Sequence, residues 1–324
     1  MFSKIKHILQ EVNTYVALVP PHTAWHQFLI TTDMLWCGLR FGSSPSNYYH
    51  FDFQHATCSE RKTFVTHRLS NKLMRKYNGN TNTDVLYDKL MFSDYFNQYC
   101  GRACFDSKTV SFDDLKPYIG QRIIYKPLRG GQGRGIAVFH LKEESLAKDV
   151  NEIHGLSCGV VESWIVQHPA MQSFCPDSVN PIRIQTICSN GKASCICATL
   201  TVGCKGKEFA NASSDALFAL VDVKTGLVNT NGCDYHGNLY IKHPESNVAF
   251  NGFQIPNWGD VLRIVTEAAE KIPHIGYIGW DVAVTPNGAV LIEGNNDPGY
   301  TAYQLPMLTN THQGTLPLFK PYLK

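Results

Sequence analysis

The chain has 324 residues, enough for about two domains of ordinary size. At 44% hydrophobic and 17% charged residues it can bury a sizeable core, which excludes a disordered chain. Lys and Arg number 29 against 27 Asp and Glu, a net +2 that points to neither nucleic acid nor an anionic membrane as partner.

The opening stretch, MFSKIKHILQEVNTYVALVPP, sets Lys4, Lys6, Glu11 and Asn13 among apolar residues and lacks a signal-peptide core. It reads as an amphipathic helix ended by Pro20 and Pro21. No run approaches the ~20 apolar residues of a membrane span, so the expected location is the cytoplasm. The eleven cysteines include Cys100 and Cys104, and Cys195 and Cys197, but neither pair has a matching second pair. They read as core residues, not as a thiolate metal site.

Residues 1–80 read as a helical and loop region rich in aromatics (Tyr48, Tyr49, Phe51, Phe53). Six bases between 61 and 76 (Arg61, Lys62, Arg68, Lys72, Arg75 and Lys76) suggest a solvated helical face. NGNTNT at 78–83 is a linker into a helix near 84–99, with Thr83 as its N-cap. Ser111 and Asp114 form a capping-box pattern. From residue 121 the texture changes to strands: RIIYKPL, then a glycine turn at 130–135, then IAVFHL. A helix over 143–153 and the strand GVVESWIV follow, then a hairpin about Asn190-Gly191. Residues 257–272 have helical apolar spacing, and YIGWDVAVTPNGAVLIEGN is a last hairpin. Helices mixed with hairpin-linked strands predict an α+β fold. The expected divisions are 1–80, 81–161 and 162–324.

Gly130, Gly131, Gly133 and Gly135 would let a backbone approach phosphates closely. The run leads into a strand and lacks the Gly-Lys-Ser/Thr of a P-loop, and it opens no helix as a dinucleotide fingerprint would. Lys126 lies on the strand just before it, upstream of the glycines rather than downstream as in protein kinases. In the last hairpin, a turn centred on 286–288 sets Asp281 across from Glu293, with Asn295 on the same face. Two facing carboxylates in an apolar hairpin would repel unless a cation lies between them, and with an amide oxygen they suit Mg²⁺; the alternative is a solvated outer face in a slightly shifted register. Arg183, inside a strand, needs an anionic partner. Glu162 ends an apolar strand, where it could cap a nucleotide or pair with a neighbouring base. Lys89 by itself reads as solvated, and His236 and His243 as surface loop histidines.

Together these features resemble the ATP-grasp superfamily, and within it the sugar-transfer associated ATP-grasp family found with bacterial polysaccharide genes. YKPLRGGQGRGI, VESWIVQHP, SVNPIRIQT, HPESNVAFNGFQIPNW and YIGWDVAVTPNGAVLIEGN carry the likeness, joined by YYHFDF and SERKTFV nearer the N-terminus. The resemblance implies two α+β subdomains clasping ATP behind an N-terminal, mainly helical extension. It implies that Lys89 and Lys126 contact the nucleotide and that Gly130, Gly131, Gln132, Gly133 and Gly135 close over the phosphates. Glu162, Trp164 and Ile165 would form the adenine hinge, with Gln167 at the ribose. Arg183, with Lys126, would act on the transferred phosphoryl group. Asp281, Glu293 and Asn295 would hold Mg²⁺, for which Mn²⁺ could substitute.

The implied reaction is phosphorylation of a carboxylate, such as a sugar acid, to an acylphosphate that an amine attacks. A phosphotransferase acting on a hydroxyl and a nucleotide-binding scaffold are the alternatives. The chain departs from the family at Thr201, where arginine is usual. It also has Ala210-Asn211 and Ser213-Ser214-Asp215 where the family tends to Asp-Asn and paired glycines. No feature of the sequence sets the oligomeric state.

Overall fold

In the computed structural model, which describes residues 2–323 except 80, 131–132, 205, 207–215 and 235, the chain divides into two units. One comprises Met1–Gly79 with Gly299–Lys324, the other Asn80–Pro298. Residues 299–324 thus belong to the unit of the N-terminal region.

The first unit contains α1 (Phe2–Val16), α2 (Ala24–Phe41), α3 (Pro45–His50), α4 (Cys58–Arg61) and α5 (His67–Tyr77). Thr23 accepts from the His26 amide to start α2, and Gly42, at φ 68°, ends it in the left-handed conformation that glycine adopts without strain. Val12, Met34, Tyr48, Phe51, Phe53 and Phe64 form the core. The expected solvated basic face is corrected in part. Arg61 is buried, holds Asp33 through two contacts of 2.8 Å and donates to the Phe53 carbonyl. Arg68 ties down the Gly38 and Leu39 carbonyls, whereas Lys62, Lys72, Arg75 and Lys76 are exposed. The returning C-terminal residues are stitched in by Gln304, which bonds both the amide and the carbonyl of Val65.

The second unit opens with α6 (Asp84–Tyr87), α7 (Lys89–Tyr95) and α8 (Asn97–Cys100), where the sequence predicts one helix. Asp88 breaks it: its backbone is extended, and its carboxylate accepts from the Leu90 and Met91 amides at 3.0 and 3.1 Å. An aspartate at an N-cap starts a helix instead of continuing one. Thr83 makes no capping bond.

Next come β1 (Cys104–Asp106), α9 (Phe112–Leu115), β2 (Arg122–Pro127), β3 (Ala137–His140), α10 (Leu146–Gly155) and β4 (Gly159–Ser163). Ser111 and Asp114 form the expected capping box on α9. The strands make an antiparallel sheet ordered β1-β4-β2-β3. Ile123, Tyr125 and Val161 face the apolar stripe of α10 (Leu146, Val150, Ile153). Alternation therefore puts Lys126 and Glu162 on the other face.

After α11 (Pro169–Gln172) come β5 (Ile182–Ser189), β6 (Lys192–Val202), β7 (Leu217–Val221), β8 (Gly232–Cys233), β9 (Leu239–Tyr240), α12 (Trp258–Lys271), β10 (Tyr277–Thr285) and β11 (Gly288–Asn295). These strands form a second antiparallel sheet, ordered β11-β10-β5-β6-β7-β8-β9. Asn190 and Gly191, at φ 53° and 75°, close the β5–β6 hairpin as expected. α12 lays Val261, Val265 and Ala268 into a core shared with Ile184, Leu200, Trp280 and Val282. Trp280 is fully buried, donates to Thr186 Oγ1 at 2.9 Å and meets Phe96 edge-on. His243 is buried as well, bonded to the Gly203 carbonyl, which corrects its reading as a surface histidine. No helix among the described residues is long and apolar enough to cross a membrane.

Candidate active site

On the small sheet, a glutamate lies between two cations. Glu162 Oε1 accepts from Arg102 Nη2 at 2.8 Å, and Oε2 lies 2.6 Å from Lys126 Nζ. Both Arg102 and Glu162 are almost wholly buried. Burial alone would raise the Glu162 carboxyl, but Arg102 and Lys126 outweigh it and hold it down at about 2. Of the two roles open to Glu162 from sequence, its carboxylate takes the pairing one. Lys89 begins α7 and donates to the Gly130 carbonyl at 3.1 Å, at the edge of the glycine turn. Burial lowers its pKa, with nearby Glu293 opposing and Lys126 reinforcing. The helix break at Asp88 is what sets Lys89 at this edge.

The second sheet supplies carboxylates. Trp280 and Val282 turn into the core, so Asp281 turns to the opposite face, directly opposite Arg183 on neighbouring β5. Arg183 grips both Asp281 oxygens, Nη2 to Oδ2 at 2.7 Å and Nε to Oδ1. Asp281 also faces Glu293, as the sequence predicts, but by a different route. The turn is one residue tighter, with Thr285 opposite Gly288, and a bulge that leaves Ile292 unpaired restores the register at Asp281. Asn295 lies two residues on and donates Nδ2 to Glu293 Oε1 at 3.3 Å.

Arg102, which nothing in the sequence reading singled out, joins the two sheets. Besides Glu162 it donates to the carbonyls of Leu291 and Ile292, at 2.5 and 3.1 Å. These carbonyls belong to the bulge, where the ladder is interrupted. One side chain therefore fixes both the partner of Lys126 and the distortion that carries Glu293. Its signal was available: an arginine in CGRACF, like Arg183 in its strand, is a charge among apolar residues and needs partners.

Residues 68–313 match the model of a family described as sugar-transfer associated ATP-grasp. The chain belongs to this family. Its fold is accordingly the ATP-grasp fold, and the two antiparallel sheets are the α+β architecture expected from sequence. No curated protein matches the chain. Among solved structures it is similar to an N5-carboxyaminoimidazole ribonucleotide synthetase in its ADP complex, at 8% identity and a TM-score of 0.42, over 67% of this chain and 46% of that one. It is also similar to the ATP-grasp ligase PsnB bound to a phosphomimetic variant of a minimal precursor, Mg and ADP (12% identity, TM-score 0.43, 76% of this chain, 60% of that one). A third is D-alanyl-alanine synthetase A from Vibrio cholerae O1, at 14% identity and 0.42, over 74% of this chain and 64% of that one. The chain thus spans about half to two thirds of these proteins.

The donor set of this ATP-grasp chain suits a divalent cation. Burial pushes the Asp281 carboxyl up, to about 7, against Arg183 and with help from Glu293. Glu293 is itself held low despite burial, by Arg183 and Lys126. Two half-buried carboxylates facing each other on one hairpin, with the Asn295 amide beside them, are hard donors of the kind a divalent cation takes.

Other family positions gather less closely. Gly130, Gly133 and Gly135 have positive φ (132°, 72° and 72°), and a Cβ at Gly135 would meet Pro127 at 3.0 Å. Gly131 and Gln132, like Ala210-Asn211 and Ser213-Ser214-Asp215, lie outside the described residues. Trp164 stacks beneath the Arg122 guanidinium at 3.9 Å, and Ile165 is half-buried beside it. Gln167 does not offer its side chain to a ribose. It is buried, with Nε2 on the Ser178 carbonyl at 2.6 Å and Oε1 accepting from the Asn180 amide at 2.7 Å. Thr201 sits in β6 opposite Phe218.

Proposed function

We propose that the chain is an ATP- and Mg²⁺-dependent ligase that activates a carboxylate, such as a sugar acid, as an acylphosphate for attack by an amine. The setting we infer is the making of bacterial polysaccharides or sugar conjugates. The observation that carries the reading is the meeting of two sets of groups in one family member: Lys89 and Lys126 beside the glycine turn, and Arg183, Asp281 and Glu293 on the second sheet. In this reading the substrate carboxylate oxygen attacks the γ-phosphorus of ATP, and ADP leaves. The amine nitrogen then attacks the acyl carbon, phosphate departs, and the amine loses a proton. Phosphoryl transfer asks mainly for positioning and charge neutralisation, so no protein nucleophile is needed.

Asp281, Glu293 and Asn295 would hold Mg²⁺, whose chemistry is to neutralise charge on the phosphate oxygens. Lys89 and Lys126 bind and orient phosphates beside the glycine turn. Arg183, about one third exposed at its side chain, stays anchored by Asp281 while it faces incoming charge. Trp164 and Ile165 border the nucleotide base, and the proposed subdomains meet near residue 161.

The test is ADP and phosphate release from Mg-ATP with pooled amines and uronic acids, followed by mass spectrometry. Equal ADP and phosphate with a condensed product, lost in Asp281→Asn, is expected. ADP without phosphate, with a phosphorylated product, would replace the ligase by a phosphotransferase.

A further inference from the structure

Helix α2 buries Ile30, Met34 and Cys37. Its other side exposes Trp25, Phe28, Leu29, Leu35, Trp36 and Leu39, from 41% for Leu35 to 80% for Leu39. Polar and charged residues normally hold the solvent side of a helix. Here Thr32 is the one polar side chain among the exposed positions between Trp25 and Leu39. With aromatic side chains of ~150–250 Å² each, the six expose on the order of 600 Å². Contiguous apolar patches of that size mark interaction sites.

We propose that α2 packs antiparallel against α2 of a second copy of this chain, about a two-fold axis through Thr32. A two-fold contact needs a surface complementary to itself, residue i meeting j while j meets i. The stripe satisfies this. Trp25 and Leu39 are equidistant from Thr32, as are Phe28 and Trp36, and Leu29 and Leu35. Each large side chain then meets a large side chain, and the small Thr32 meets itself and lets the helices approach. Without charges on the stripe, two copies do not repel. About 600 Å² per copy gives the ~1,200 Å² at which specific interfaces begin, so the dimer dissociates on dilution. A lipid surface fits less well, because interfacial helices set Lys and Arg about their apolar face, and α2 has Arg40 alone and no Lys.

Sedimentation of the full chain across a concentration series tests the pairing. Wild type is expected to move from 36.3 kDa to twice that mass as concentration rises. Leu29→Glu should remain monomeric, with unchanged circular dichroism. Leu29→Glu combined with Trp36→Lys should dimerise again, since residues 29 and 36 lie on the same flank of the stripe and each Glu then faces a Lys. Thr32→Cys, in a background lacking exposed Cys58 and Cys158, should cross-link under copper phenanthroline, and Asn13→Cys on α1 should not. A monomer at all concentrations, a dimer indifferent to Leu29→Glu, or equal cross-linking at both positions overturns the proposal. So does a monomer that binds phosphatidylglycerol vesicles through the stripe.

Discussion

Glu162 sits with two cations and almost no water, which makes it the residue whose loss is easiest to foresee. Glu162→Gln keeps the shape but leaves Arg102 and Lys126 buried without their counter-charge. Breaking a buried ion pair from one side costs about 3–5 kcal/mol, so the urea midpoint should drop by that equivalent. A change under 1 kcal/mol would show that water reaches the triad. On the proposed function, Asp281→Asn acts on chemistry instead. It removes one carboxylate of the pair and one anchor of Arg183, and should cut turnover by at least the ~10² that loss of a metal's supporting partner costs. The Mg²⁺ needed for half-maximal rate should rise as well, and an unchanged Mg²⁺ titration would remove Asp281 from the cation site. Asp281, Glu293 and Arg183 were legible in sequence because strand alternation and the cost of a charge in an apolar run are local rules. Which charges pair was not legible. Arg183 and Asp281 are 98 residues apart, and Arg102 and Glu162 are 60 apart, so their pairing depends on strand order that no local pattern encodes.

At the scale of elements, most strands and α12 follow from periodicity, and Asn190-Gly191 from turn chemistry. The errors fall where one side chain overrides a pattern. Asp88 satisfies two backbone amides and splits a predicted helix, while a turn one residue tighter shifts the last hairpin until the Ile292 bulge restores its register. The family resemblance sets Gln167 at the ribose, whereas in the structure its amide closes a buried loop. The glycine turn yields a prediction of its own. Gly135 has φ 72° and its Cβ position touches Pro127 on β2, one residue from Lys126. Gly135→Ala should therefore cost about 1–2 kcal/mol from the left-handed backbone, plus displacement of the turn. ATP affinity should fall while the unfolding slope with urea stays the same, which calorimetric titration and denaturation would separate. Unaltered ATP binding would mean that the turn does not close on the nucleotide.

For the whole molecule, two carboxyls shifted in opposite directions shape stability against pH. Glu162 is depressed, from 4.5 to about 2, so its contribution is present above pH 4.5 and is lost as the pH falls towards 2. That contribution is on the order of 3 kcal/mol. Asp281 is raised, from 3.8 to about 7, so its contribution is present below 3.8 and is lost as the pH rises through 7. The protein without divalent cation should therefore unfold at progressively lower temperature from pH 5 to pH 8, and again below pH 4. A cation bound between Asp281 and Glu293 would favour the ionised form of Asp281. Millimolar Mg²⁺ should then raise the melting temperature at pH 8 more than at pH 5 and flatten the alkaline slope. In Asp281→Asn both the slope and its response to Mg²⁺ should vanish, while the acid limb set by Glu162 remains. Scanning calorimetry of the two proteins from pH 3 to pH 8, with and without Mg²⁺, separates these effects. An alkaline slope that persists in Asp281→Asn would place its origin in another titrating group.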